Sequence, residues 1–398
     1  MAGGELPQGT SSDRLFPRER IAVSVLFFVN GYLLGNWAPK VPEFLRRLSL
    51  SESDLGLLLL LLGAGALSAM PVAGWLIARS GSSSIGKLTA IAAVPAILIV
   101  TLPNNIFTAG VVLFILGALV AAMDVAMNAN AVSVERKFRR AIMSSCHGFW
   151  SLGGLVGAAT GGWLIENLGL FGHAWLVTGI SAAGVFLCLN AILEDRIVTE
   201  GTVVHKVRLP ANPLPYVLGA MALFSMVPEG AVLDWGALYL RQELGAGLDL
   251  SGFGYAAFSG AMAIMRFAGD PLRQKFGAVA TMRVCSLAAI IGLLIAGTAP
   301  NAIVATIGFA LAGLGISNLV PILFSAAGNL PGLPPGIGIS MVTFMGYSGI
   351  LFAPSLIGFI AEHTGLGPIF AFLPLPLCVV FILSHLAVHA DKVADEPH

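Results

Sequence analysis

Charge is scarce in this chain. Only 11% of its 398 residues are Asp, Glu, Lys or Arg, against 57% hydrophobic, and mean hydropathy is +0.88. A soluble domain carries about 25% charged residues, so that class is excluded. The 21 basic and 21 acidic residues cancel, leaving no net field to attract nucleic acid. Cysteine is sparse too. Cys146, Cys188, Cys285 and Cys378 lie singly in apolar stretches, without the spacing of a disulfide framework or a metal site. A phosphate loop is missing: Gly81 to Leu88 comes near one, but Leu88 replaces the magnesium-binding hydroxyl and no strand precedes it. Nucleophile, base and oxyanion donors form no catalytic pattern either, so neither an enzyme nor a cofactor is expected. The first 20 residues lack a small-residue cleavage site, so the first apolar run is expected to be retained.

What the chain has instead is apolar runs of bilayer length, which need about 20 residues each. Six fall at 21–43, 53–78, 84–102, 106–134, 142–165 and 171–193. After a polar stretch come six more, at 214–241, 251–273, 279–298, 302–326, 337–361 and 367–389. They are numbered here spans 1 to 12. The pattern predicts an all-α membrane protein of twelve transmembrane helices in two six-helix bundles. Residues 21–193 and 213–389 form the bundles, 194–212 a cytoplasmic linker, and 1–20 and 390–398 cytoplasmic tails. With the N-terminus in the cytoplasm, 16 of the 21 Lys and Arg fall on cytoplasmic segments and four outside, which predicts a multi-pass protein of the inner (plasma) membrane with both termini inside. Arg136, Lys137, Arg139 and Arg140 form the densest basic cluster, read as a topology anchor.

The two halves repeat each other at an offset of 196 or 197 residues. Thr101-Leu-Pro-Asn104 matches Thr298-Ala-Pro-Asn301, Arg79-Ser-Gly81 matches Lys275-Phe-Gly277, and Trp163 to Leu170 matches Phe359 to Leu366. Two parallel six-helix repeats are the plan of the major facilitator superfamily. Gly74-Trp-Leu-Ile-Ala-Arg79-Ser-Gly81 resembles that superfamily's loop signature, with Ala78 in place of its Asp. The second copy, Arg266 to Gly277, keeps an acidic residue, Asp270, one helical turn earlier. Gly117 to Asn130, with Asp124 and Asn128, is similar to the branch that contains fucose permeases and uncharacterised bacterial relatives. The resemblance implies secondary transport by alternating access, a cavity lined by spans 1, 4, 7 and 10, and a second carboxylate in span 1. Span 1 offers only Asn30 and Asn36.

A carboxylate inside a span costs roughly 2.5 to 3.5 kcal/mol on insertion scales, so it faces protein or water. Gly117, Val120, Asp124, Asn128 and Glu135 share one stripe of span 4 at 100° per residue, while Asn130 points elsewhere. Burial disfavours a charged carboxylate, which makes Asp124 a proton-carrier candidate or else a paired structural charge. Glu229, directly after the helix-bending Pro228, is the second candidate, and His147 the third. Substrate contacts are expected from Asn30, Trp37, Asn128, Trp150, Tyr255, Asn318 and Tyr347. Gating between the halves is expected from Gly74, Arg79, Gly81, Arg266, Asp270, Lys275 and Gly277, with Arg266 neutralising Asp124 or Glu229 and an Arg266–Asp270 pair possible along span 8. Gly153, Gly157 and Gly161 of span 5, and Gly349 to Gly358 of span 11, predict close contacts between the halves. The functional expectation is a monomeric, proton-coupled transporter of a small polar solute in the lipid bilayer. The alternatives are a proton-driven exporter of lipophilic compounds and a non-transporting receptor or scaffold.

Overall fold

The computed structural model describes residues 16–37, 40, 46–50, 52–195, 210–246 and 248–391. Most of the expected linker, and the tails at 1–15 and 392–398, lie outside the described residues. The described chain is helical. Its helices are α1 (Arg18–Trp37), α2 (Glu52–Ala93), α3 (Ala96–Thr101), α4 (Ile106–Phe138) and α5 (Met143–Cys188) in the first half. The second half holds α6 (Leu214–Gln242), α7 (Leu248–Phe276), α8 (Ala278–Gly297), α9 (Ala302–Ile316), α10 (Leu319–Gly328), α11 (Pro335–Thr364), α12 (Leu366–Phe372), α13 (Pro374–Ile382) and α14 (Val388–Asp391).

Eight helical stretches among the described residues are long and apolar enough to cross a membrane. Twelve spans follow because two of the eight are fused pairs and two further helices carry charge. The α2 helix, continued by α3, holds spans 2 and 3, joined at Gly81 (φ 79°), and α5 holds spans 5 and 6, joined at Gly169 (φ 70°). Each is a turn of one residue in the left-handed region, where glycine pays no steric cost. Span 1 is α1 and span 8 is α7. Span 10 is split at Ser317–Asn318 into α9 and α10, and span 12 is α12 with α13.

The repeat holds at an offset of 196 down to the helix ends. Gly81 and Gly277 (φ 80°) turn the chain at equivalent places, as do Gly169 and Gly365 (φ 82°). Asn105 Oδ1 caps α4 by accepting from the Thr108 N–H at 3.0 Å, and Asn301 Oδ1 caps α9 from Val304 at 3.1 Å. This makes Asn105, not Asn104, the partner of Asn301. Asp195 accepts from Ser83 N at 2.9 Å and Asp391 from Ala278 N at 2.6 Å, so each half ends by capping its own third helix. The outer surface is apolar, as lipid requires: Phe107, Leu187 and Trp163 are 84%, 85% and 65% exposed. Tyr239 could anchor at the membrane interface, as tyrosines near helix ends commonly do, but does not. It is buried, with its hydroxyl donating to Ala296 O at 2.8 Å.

The glycine stripes meet partners inside each half, not across the halves. A β-carbon on Gly153 or Gly157 would strike span 1 at Phe28 O (2.1 Å) and Asn36 Nδ2 (2.6 Å), and Gly349 and Gly358 pack on Leu223 and Trp235 of span 7. They fix spans 1 and 5, and spans 7 and 11, as rigid pairs. Contact between the halves comes from other positions, several of them on the face where α1 starts and α14 ends, called here the tail face.

Candidate functional site

Midway along α4, Asp124 is 5% exposed and Asn128 fully buried. One turn apart on one face, they bond: Asn128 Nδ2 donates to Asp124 O at 2.9 Å and to Oδ1 at 3.2 Å. Asp124 Oδ2 is buried and has no hydrogen-bond partner among the described residues. Burying a carboxylate oxygen unpaired is costly, and the cost falls when the group takes up a proton. Asn128 Oδ1 meets His147 Nε2 at 3.2 Å, and the His147 ring packs on Phe27 of span 1 and Phe324 of span 10. Asp124, Asn128 and His147 thus form one chain of polar contacts. Asn30 stands alongside it, donating to Val120 O at 3.0 Å and accepting from Trp150 Nε1 at 3.0 Å.

The second half supplies the charge pair. Arg266 Nη2 lies 3.5 Å from Glu229 Oε1, and its Nη1 donates to Ser151 Oγ at 2.5 Å. Ser151 belongs to span 5, so this guanidinium ties the two halves together near the centre. Of the two partners expected for Arg266, the structure selects Glu229. Tyr347 on α11 is half-buried.

The Arg266–Asp270 pair that the spacing allows does not form. Asp270 turns instead to the start of α5, where Oδ1 accepts from Ser144 N and Oδ2 from Ser145 N, both at 2.9 Å. Two N–H groups that a helix start leaves unpaired bind a carboxylate from the other half. The pseudo-symmetric contact is built without charge. Gly74 stands 196 residues before Asp270, and a β-carbon on it would lie 2.2 Å from Ser340 Oγ and 2.8 Å from Gly336 O of α11.

Other expected residues lie elsewhere. Arg79 is exposed and stacks on its neighbour Trp75 at 4.0 Å, and Lys275 is exposed over Phe276. Trp37 is buried at the far end of α1, and Tyr255 is 37% exposed on α7 outside the hydrogen-bonded cluster. Asn318 is buried at the α9–α10 break, donating to Ser317 Oγ at 3.1 Å and lying so near Gly269 that a β-carbon there would collide with it. Gly81 and Gly277 are turn residues. Asn36 and His173 (2.9 Å) hold spans 1 and 6 together. Asn130, as expected, points away from the stripe, to Ser82 Oγ and Leu193 O.

Sequence reasoning passed over the buried pair that joins the halves at the tail face. Glu135 Oε1 accepts from Arg273 Nη1 at 3.0 Å and Oε2 from Ser325 Oγ at 2.7 Å, while Arg273 Nε also reaches Asp391 at 3.1 Å. Glu135 was visible as the last member of the Asp124 stripe. Its partner, 138 residues away, was not.

Residues 23–332 match the family model described as Major Facilitator Superfamily. The chain belongs to the major facilitator superfamily. It is 34% identical over 382 residues to an uncharacterised MFS-type transporter of Yersinia pestis, covering 94% of this chain and 96% of that one. It is also 33% identical over 373 residues to the membrane protein MosC of Rhizobium meliloti, covering 93% and 90%. Among solved structures, its fold is similar to that of the superfamily transporter FucP in the outward conformation, with a TM-score of 0.77 at 17% identity over 95% of this chain and 99% of that one. The proton:xylose symporter XylE gives 0.69 at 14% identity over 94% of each. The facilitator fold of two six-helix bundles, and a multi-pass membrane transporter, are therefore established for this chain.

Proposed function

We propose that this facilitator is a proton-coupled secondary transporter that moves a small polar solute across the inner membrane by alternating access. Asp124 is its proton carrier. The observation that carries this reading is the unpartnered Oδ2 of Asp124, buried in a site whose cation is already committed to Glu229 and Ser151. A carboxylate without a counter-charge at that depth holds a proton until water or substrate reaches it. Asn128 and His147 give that proton a hydrogen-bonded route, and Asn30, Trp150, Ser151 and Tyr347 offer an amide, two hydroxyls and ring faces to a solute. That polarity supports a hydrophilic solute over a lipophilic one. The basic bias of the tail face supports its placement in the cytoplasm, with residues 21–193 and 213–389 as the two moving bodies. Contacts of Asp270, Gly74 and Glu135 then correspond to a conformation closed to the cytoplasm.

The test is transport in proteoliposomes containing a pH-sensitive dye, screened against a library of sugars and related metabolites. The transported solute should acidify or alkalinise the lumen with wild-type protein. Asp124→Asn should abolish that pH change while retaining solute exchange. Proton movement that persists in Asp124→Asn would overturn the assignment.

A further inference from the structure

At the tail face, between the end of α4 and the end of α7, lies a cavity of about 300 Å³ that none of the Asp124, Asn128, His147, Glu229 and Arg266 side chains lines. Arg136, Arg139, Arg140 and Arg273 line it, against the two carboxylates Glu135 and Asp391. Both carboxylates are already engaged. Glu135 accepts from Arg273, Ser325 and the backbone of Ile142 and Met143, and Asp391 caps α8 and accepts from Arg273. Arg136 bonds only neutral acceptors, Asn329 Oδ1 at 2.5 Å and Gly328 O. Arg139 and Arg140 make no side-chain hydrogen bond or ion pair among the described residues. Among the described residues, Arg136, Arg139 and Arg140 thus form no ion pair.

Topology explains why basic residues gather on this face. It does not explain their convergence on one cavity, nor the backbone of Arg139. That residue ends α4 in the left-handed conformation (φ 49°, ψ 42°), with its N–H donating to Arg136 O. Where a helix ends in this conformation the residue is usually glycine, because a β-carbon is strained there. An arginine held at such a place points to a requirement for its side chain.

We infer that this cavity is a binding site for a phosphate-bearing anion. Planar guanidinium forks converging on one space suit the several oxygens of a phosphate group better than a single point charge would. Arg136, Arg139 and Arg140 come from the first half and Arg273 from the second, so a bound phosphate bridges the halves. Binding therefore favours the conformation in which the tail face is closed, and by linkage that conformation binds phosphate more tightly. The phosphate comes either from a soluble phosphoester or from the headgroup of an anionic phospholipid, which basic pockets on the cytoplasmic side of membrane proteins recognise. The inference rests on the geometry of the tail face and does not depend on Asp124 carrying a proton.

The experiment compares the thermal unfolding of full-length protein with that of the double variant Arg139→Gly, Arg140→Gln, whose glycine suits the left-handed backbone. One arm adds inorganic phosphate to detergent-solubilised protein, with chloride at matched ionic strength as the control. The other compares nanodiscs with and without phosphatidylglycerol. At about ten times the dissociation constant, binding raises the wild-type midpoint by about 2 °C, and the variant does not respond. A response in the phosphate arm identifies a soluble ligand, and one confined to nanodiscs identifies a lipid headgroup. Equal responses of wild type and variant in both arms, or none from the wild type in either, would overturn the site. Because neither arm measures transport, failure here leaves the proton assignment standing, and the reverse holds too.

Discussion

Asp270 on α7 accepts the backbone N–H of Ser144 on α5 at 2.9 Å, and in doing so closes one of the two seams between the halves. Its other oxygen takes Ser145. Asp270→Ala leaves two helix-start donors without that acceptor, at a cost of about 1–3 kcal/mol to the closed seam. Cys146, fully buried beside them, is a native reporter. Its alkylation by a small maleimide, followed by peptide mass spectrometry, should be at least about tenfold faster in the variant. An unchanged rate would mean that Asp270 does not hold the seam.

The opposite seam should respond to volume in place of charge. Gly74→Val inserts side-chain atoms where Ser340 Oγ and Gly336 O already stand. Overpacking of this kind costs about 1–3 kcal/mol, which the protein can relieve by parting spans 2 and 11. Spin labels on the tail-face ends of those spans, read by double electron–electron resonance, should report a longer distance in the variant. Gly74→Ala should give a smaller shift in the same direction.

For the Arg266–Glu229 pair, partial exposure sets the magnitude. Glu229 retains 32% side-chain exposure and Arg266 only 8%. Glu229→Gln should therefore lower stability by about 1–2 kcal/mol, less than for a fully buried pair. Arg266→Met in that background should recover part of the loss, since no uncompensated cation remains. Melting curves of the two single variants and the double variant measure the coupling.

Lys40 predicts a pH effect outside the spans. It follows the end of α1, is 2% exposed, and donates to Thr101 Oγ1 at 2.8 Å and to Leu170 O at 3.2 Å. Burial, and secondarily the charge of Arg47, lowers its pKa from 10.5 to about 8. Below about pH 8 both folded and unfolded chains carry the charge, and the folded state bears the whole penalty of burying it. From there to about pH 10.5 the unfolded chain binds more protons, so this residue's contribution to stability rises with pH. Comparing melting temperatures of wild type and Lys40→Met across that window isolates the term. The wild type should gain on the variant as pH rises, and parallel curves would refute the shift.

Much of the architecture was legible because membrane helices advertise themselves by length and composition, and because duplication left the turns in register. Gly81 and Gly277 could be matched by eye. Periodicity also aligned Asp124 with Asn128, since both lie on one helix. It could not say which helix meets which face. The glycines of span 5 were visible as a stripe, but their partner, span 1, depends on how the spans are arranged around one another. For the same reason the spacing allowed an Arg266–Asp270 pair along span 8, and placed Asp270 between the halves without naming its donors, Ser144 and Ser145 of α5. Glu135 and Arg273 are too far apart in the chain for any local pattern to join them.

The mismatch between Asp270 and Gly74 has a mechanical consequence. Equivalent edges of the two halves carry unequal locks, hydrogen bonds to a charge on one and bare van der Waals contact on the other. Van der Waals contact yields gradually as helices slide, whereas hydrogen bonds to a charge hold until they break and water takes their place. Opening of the tail face should therefore be lopsided, with spans 2 and 11 already shearing when spans 5 and 8 let go. The rate of that last step then depends on the Asp270 carboxylate and, beside it, on the Arg266–Ser151 bond.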